Sequence, residues 1–131
     1  EQKAKNSSIG PKIEFTGRVH EVRDYYSIAD IFALPTIKKG EGCPVSLLEA
    51  MSCGIPPVAS EVSGIKDILE PFPELLFTPE NKNELARKLE KLIKLNAGKS
   101  NFYRKHILKK YNIELEVSNH EKIYKNVLLI N

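Results

Sequence analysis

Three short apolar runs constrain the fold of this chain more than anything else in its sequence. They are Ile31-Phe32-Ala33-Leu34, Pro57-Val58-Ala59-Ser60 and Leu75-Leu76-Phe77, and helix-patterned stretches separate them. The first is a continuous apolar run stopped by Pro35, as expected of a strand buried on both faces. Ile13-Glu14-Phe15-Thr16, closed by Gly17, reads as a further short strand. Strands that alternate with helices predict an α/β fold with a parallel sheet and helices on both faces. About four strands are expected, at 13–16, 31–34, 57–60 and 75–77, fewer than the five or six of an average sheet.

The helical segments follow from periodicity and punctuation. Residues 21–29, with Val22, Tyr25, Tyr26 and Ile28, suit a short amphipathic helix. Pro44 sits where a helix accepts proline as its first residue, 45–52 continues it, and Gly54 supplies the stop. Residues 65–69 allow a helical turn or two. Leu85, Leu89, Leu92 and Ile93 recur on one helix face behind Thr78-Pro79-Glu80-Asn81 as capping material. Two further helices are expected at about 100–110 and 115–129, the last using Val117, Tyr124, Val127 and Leu128. Residues 1–10 read as a ragged polar lead-in. At 131 residues the chain matches one domain, with a core at 13–78 and a helical tail at 79–131.

Composition removes several classes. The 41% hydrophobic and 28% charged content is that of a soluble globule, and no apolar run approaches the ~18 residues of a membrane span. The N-terminal Glu1-Gln2-Lys3-Ala4-Lys5 has no apolar segment of the signal-peptide kind. Cys43 and Cys53 are too few for a disulfide scaffold or a structural zinc site, so a reduced, cytoplasmic protein is expected. Both read as small buried apolar residues, because no basic partner nearby would make a reactive thiolate. His20, His106 and His120 are scattered, with no ligand neighbour in helical register. Net charge is +3, but 82–110 holds ten basic residues against Glu84 and Glu90, a local +8. The lysines interleave with leucines as on a solvated helix face; peripheral contact with an anionic membrane is the alternative. Nothing suggests nucleic-acid binding.

Ligands of open α/β sheets bind outside the carboxyl ends of the strands, which points to 35–44 and 61–64. Glu41-Gly42-Cys43-Pro44 enters a helix through a glycine. Free N–H groups and the positive end of the helix dipole favour an anion there, and Gly42 permits close approach to the backbone. Glu49 is flanked by Leu47, Leu48, Ala50 and Met51, so its carboxylate needs a cation or ligand hydroxyls as partner. A carboxylate can accept two hydroxyl hydrogen bonds, which suits sugars. The spacing of Glu41 and Glu49 alone is a weak signal.

The string Ala29-Asp30-Ile31-Phe32-Ala33-Leu34-Pro35-Thr36, followed by Glu41-Gly42-Cys43-Pro44-Val45-Ser46-Leu47-Leu48-Glu49-Ala50-Met51-Ser52-Cys53-Gly54-Ile55-Pro56, is far more specific. It resembles the C-terminal half of a GT-B glycosyltransferase of the group 1 (family 4) type, which carries a Glu-x7-Glu motif. Agreement extends in register from Phe15-Thr16-Gly17-Arg18-Val19, through Val58-Ala59-Ser60-Glu61-Val62-Ser63-Gly64, to Leu75-Leu76-Phe77-Thr78-Pro79 and Glu84-Leu85-Ala86. It covers roughly residues 13–95.

The resemblance implies a partial Rossmann-like domain binding a nucleotide-diphosphate sugar, and hexosyl transfer with retention to a sugar, polysaccharide or lipid-linked acceptor. No metal or other cofactor is implied. On that analogy Glu41 is catalytic and holds the donor sugar's hydroxyls, assisted by the backbone of Gly42, Cys43, Pro44 and Val45. Glu49 takes the ribose hydroxyls, Ser63 and Gly64 approach the diphosphate, and Thr36 lines the nucleotide side. The chain departs from the family pattern at Cys43, at Ser63 and at Lys66-Asp67. It also has a longer 35–41 loop, whose Lys38 and Lys39 either reach the diphosphate or solvate the loop. The family's N-terminal acceptor domain and its Arg/Lys phosphate-binding pair have no counterpart here, so the chain is expected to be one part of a longer enzyme, inactive in isolation. A non-catalytic α/β nucleotide-binding or interaction module is the alternative.

Overall fold

The computed structural model describes residues 1–37, 41–95 and 97–128. A one-turn helix α1 (Gln2–Lys5) and a 3-10 turn at Gly10–Lys12 give the lead-in more local structure than its composition predicts. The succeeding elements are α2 (Val22–Ile28), β1 (Phe32–Leu34), α3 (Val45–Ser52), β2 (Pro57–Ser60), α4 (Ile65–Ile68) and β3 (Leu76–Phe77). Three longer helices close the chain: α5 (Lys82–Lys94), α6 (Asn101–Lys110) and α7 (Ile113–Leu128).

Strand order is β1-β2-β3, all parallel, with Phe32 opposite Pro57 and Ala59 opposite Leu76. The sheet has three strands among the described residues, because 13–16 joins no ladder. Ile13 and Phe15 are 37% and 49% exposed, so nothing packs that segment onto the sheet as a strand requires. β2 is buried at every residue, whereas Ala33 of β1 is exposed. An apolar run predicts burial on both faces, but β1 lies at a sheet edge and only the central strand is covered on both sides.

One core joins the layers: Leu47 and Met51 of α3, Val58 and Ala59 of β2, Ile65 and Ile68 of α4, Leu92 of α5 and Ile107 of α6. A satellite of Tyr26, Ala50 and Ile55, with Phe32 against it, fixes α2 to α3. α5 begins on a reciprocal cap, in which the Asn81 side chain accepts from Glu84 N at 3.1 Å and Glu84 Oε2 accepts from Thr78 N at 3.0 Å. Leu85, Leu89 and Leu92 face the core as their spacing predicts, but Ile93 is 67% exposed, one step past that stripe.

The end of α3 is held from far along the chain. Gly54, at φ +79°, turns the chain, and its carbonyl accepts from Ser100 N at 2.7 Å. Arg104 donates to Ser52 O at 2.7 Å, placing a cation at the negative end of the helix. Other basic side chains of 82–110 are likewise engaged: Lys88 donates to Glu74 O, Lys99 to Ser27 O, and Lys110 pairs with Glu70 at 3.6 Å.

Candidate functional site

The carboxyl ends of β1 and β2 point to one place, and the loops beyond them meet. After Leu34 the chain turns at Pro35, with Thr36 N donating to Leu34 O at 3.0 Å. This sets Thr36 Oγ1 to donate to Glu41 Oε1 at 3.0 Å. Glu41 is half-buried, while Gly42, Cys43 and Val45 are exposed. Pro44 is the N-cap of α3 rather than its first residue, with φ −69° as its ring dictates. Its carbonyl accepts from Leu47 N and Leu48 N, so the N–H groups of Val45 and Ser46 are left without helical acceptors at the open end.

Gly64 brings the second loop in. It lies at φ +80°, and a Cβ built there would fall 1.8 Å from Glu41 O and 2.4 Å from Gly42 O. The backbone of 63–64 therefore rests directly on the backbone of 41–42. Space is open where a Gly42 Cβ would stand, so that peptide remains accessible from outside. Thr36, Glu41, Gly42, Pro44, Val45, Ser63 and Gly64, assigned by resemblance to one donor site, are thus assembled by two loops and a helix start. Lys38 and Lys39 lie outside the described residues.

Glu49 stands apart from this group. It lies on α3 about 6 Å along the axis from the first helical residue. Leu47, Ala50 and Met51 are buried but Glu49 is exposed, so it occupies the opposite face of the helix rather than an apolar surround. It does have a partner, one that sequence reasoning missed. The Tyr26 hydroxyl donates to Glu49 Oε2 at 3.2 Å and also lies 3.3 Å from Ser46 O. Burial, and then the neighbouring Glu49 carboxylate, push the Tyr26 hydroxyl up to about 12. Val22, Arg23, Tyr26, Ser52 and Cys53 line a groove of about 180 Å³ beside Glu49. Tyr26 and Ala29, three residues apart, both pack in the cluster of Ala50 and Ile55, and a buried tyrosine hydroxyl needs an acceptor.

Cys43 and Cys53 are both exposed, against the expectation of buried small residues. Cys43 precedes the helix on the open loop, and Cys53 is the C-cap, beyond the buried stripe of α3. Lys66 is a surface residue, paired with Glu61 at 3.0 Å. His106 is structural: its Nε2 lies 3.1 Å from Ile68 O and its ring packs edge-on against Phe72. A larger cavity of about 560 Å³ is lined by Glu61, Lys66, Asp67, Glu70 and Lys110, of which Lys66 pairs with Glu61 and Lys110 with Glu70. Among the described residues no group of three or more His, Cys, Asp and Glu could hold a metal, and no helix is long and apolar enough to cross a membrane.

Residues 1–95 match the family described as "Glycosyl transferases group 1". An amylovoran biosynthesis glycosyltransferase, AmsK of Erwinia amylovora, is 32% identical over 104 residues, covering 76% of this chain and 25% of that protein. The N-acetyl-alpha-D-glucosaminyl L-malate synthase of Bacillus anthracis is 32% identical over 69 residues, covering 53% of this chain and 18% of the relative. The chain thus spans about a quarter or less of the length of these relatives. A sucrose-phosphate synthase of Thermosynechococcus elongatus superposes with TM-score 0.84 over 99% of this chain and 34% of its own, at 24% identity, which shows a shared fold.

Proposed function

The chain belongs to the group 1 glycosyl transferases, with a fold matching part of a GT-B enzyme, and on that premise we propose that it is the donor-binding part of a retaining glycosyltransferase. The donor is a nucleotide-diphosphate sugar. The single observation that carries the reading is the contact of Gly64 with the carbonyls of Glu41 and Gly42, which joins two strand-end loops into one ledge beside a helix start.

On that ledge Glu41, oriented by Thr36, accepts hydrogen bonds from hydroxyls of the donor sugar. The diphosphate lies against the free N–H groups at the start of α3 and the peptide of Ser63 and Gly64. As the bond from the anomeric carbon to the diphosphate breaks, negative charge grows on the leaving oxygen, where these fixed dipoles stabilise it. Glu49 accepts the ribose hydroxyls in its own groove. No step requires a metal ion. Names as different as amylovoran biosynthesis and an L-malate synthase belong to relatives of the same segment, which supports a donor rather than an acceptor role for it. The acceptor, a sugar, polysaccharide or lipid-linked glycan, is then held by another domain of the enzyme in the cytoplasm.

Calorimetric titration of the chain with UDP, GDP and ADP tests the reading, with Glu49→Ala as control. One diphosphate should bind and the variant should weaken it. Absence of binding by all three, or equal binding by the variant, refutes the donor site and leaves an interaction module.

A further inference from the structure

We infer that Tyr26 is a positioning residue, whose hydroxyl anchors one oxygen of Glu49 and so leaves the other aimed for a ligand diol, setting a preference for ribose over deoxyribose. The inference rests on the donor-site reading of Glu49. Glu49 is an exposed glutamate on a helix surface, yet it is tethered by a buried side chain.

The Tyr26 ring is 7% exposed, packed with Ala50 and Ile55, and meets Phe32 edge-on with centroids 6.3 Å apart at 64°. α2 therefore presents its hydroxyl to α3 as a fixed point. The hydroxyl has one hydrogen and two acceptors in reach, Glu49 Oε2 at 3.2 Å and Ser46 O at 3.3 Å. A charged acceptor forms the stronger bond, so the carboxylate takes the larger share. The raised pKa of about 12 keeps the hydroxyl a donor throughout the physiological range.

A free glutamate would have to surrender rotamer entropy each time it bound a diol. Here part of that loss is already taken in folding, because one oxygen is committed to Tyr26 and the side chain lines the groove. The groove of about 180 Å³ holds roughly six waters' worth of space. Its polar wall beside Glu49 is built by Arg23, Ser52 and the Tyr26 hydroxyl itself. Removing the hydroxyl keeps the ring and frees the carboxylate, along with the lesser contact to Ser46 O.

The test is a double-mutant cycle on the 131-residue chain with Tyr26→Phe, Glu49→Gln and both. Each form is titrated with UDP, GDP and ADP and with their 2′,3′-dideoxy counterparts. The wild-type chain should favour the ribose form of its nucleotide by about tenfold, the value of one charge-assisted hydrogen bond. Tyr26→Phe should cut that preference about fivefold while the dideoxy affinity stays constant. Glu49→Gln should abolish the preference, and adding Tyr26→Phe to it should change nothing more. An unchanged preference in Tyr26→Phe, or equal weakening of both nucleotide forms, overturns the inference while leaving Glu49 a ribose ligand. Absence of preference in the wild type, or its survival in Glu49→Gln, overturns both readings.

Discussion

Gly64→Ala is the sharpest perturbation available. The added methyl would lie 1.8 Å from Glu41 O, whereas ordinary contact begins at 3.4 Å, so the two loop backbones must part by about 1.6 Å. The residue also sits at φ +80° and ψ −50°, a conformation that L side chains rarely adopt. Strain of that kind costs ~1–3 kcal/mol. Relief by moving the loop would disturb Ile65, the next residue, and Ile68, one turn later, both buried in the core. A total of roughly 2–4 kcal/mol is expected, in the range of severe single substitutions. For a domain of this size each kcal/mol shifts Tm by about 4 °C, which gives a fall of ~8–15 °C in a circular-dichroism melt. Gly42→Ala is the control, since space is open there and φ is not positive; its Tm should change by less than ~2 °C. Its nucleotide-diphosphate affinity should nevertheless fall, because the methyl stands where the ligand approaches. A Gly64→Ala melt within 2 °C of wild type would refute the loop contact, and with it the assembly of the ledge.

Two other outcomes concern the cap of α5 and the two cysteines. The Glu84 carboxyl is held below its usual range by hydrogen bonds from Thr78. A depressed carboxyl contributes stability that is present above its unfolded value and lost as pH falls through the folded one. Glu84→Gln should therefore melt lower than wild type at neutral pH, the two should converge at acid pH, and parallel melting curves across that range would count against the cap. Cys43 and Cys53 should both react with an aromatic disulfide reagent in the folded protein at rates near those of the unfolded chain; protection of either would contradict its exposure.

Much of the fold was legible because punctuation and periodicity coincide. The strand at 57–60 and the helix at 45–52 lie where sequence places them, since Pro44 and Gly54 mark the two ends of α3 and an apolar run with no room for a turn marks β2. What failed concerned neighbours rather than local preference. Residues 13–16 have a strand's composition but no partner strand, and Ala33 is exposed because β1 takes an edge. Cys43 and Cys53 look apolar by type, yet each falls on a helix end instead of the inward stripe. In the site, loop residues could be read from a composite motif, and the helix start from Gly42 and Pro44. The bond from Tyr26 to Glu49 joins positions 23 apart and depends on how α2 packs on α3, which no local pattern encodes.

The helix that begins at the ledge is finished by residues about fifty positions downstream. Ser100 binds the carbonyl of Gly54, Arg104 covers that of Ser52, and Ile107 completes the core behind them. On a ribosome α3 would emerge with the Ser52 carbonyl, and the Gly54 carbonyl just beyond it, still without their protein partners, and these wait for the segment at α6. Long-range closure of this kind slows folding, so assembly of the candidate site should be a late event in the chain's synthesis. The match to the family model covers residues 1–95, and the segment after it acts as the latch that holds the site's own helix in place.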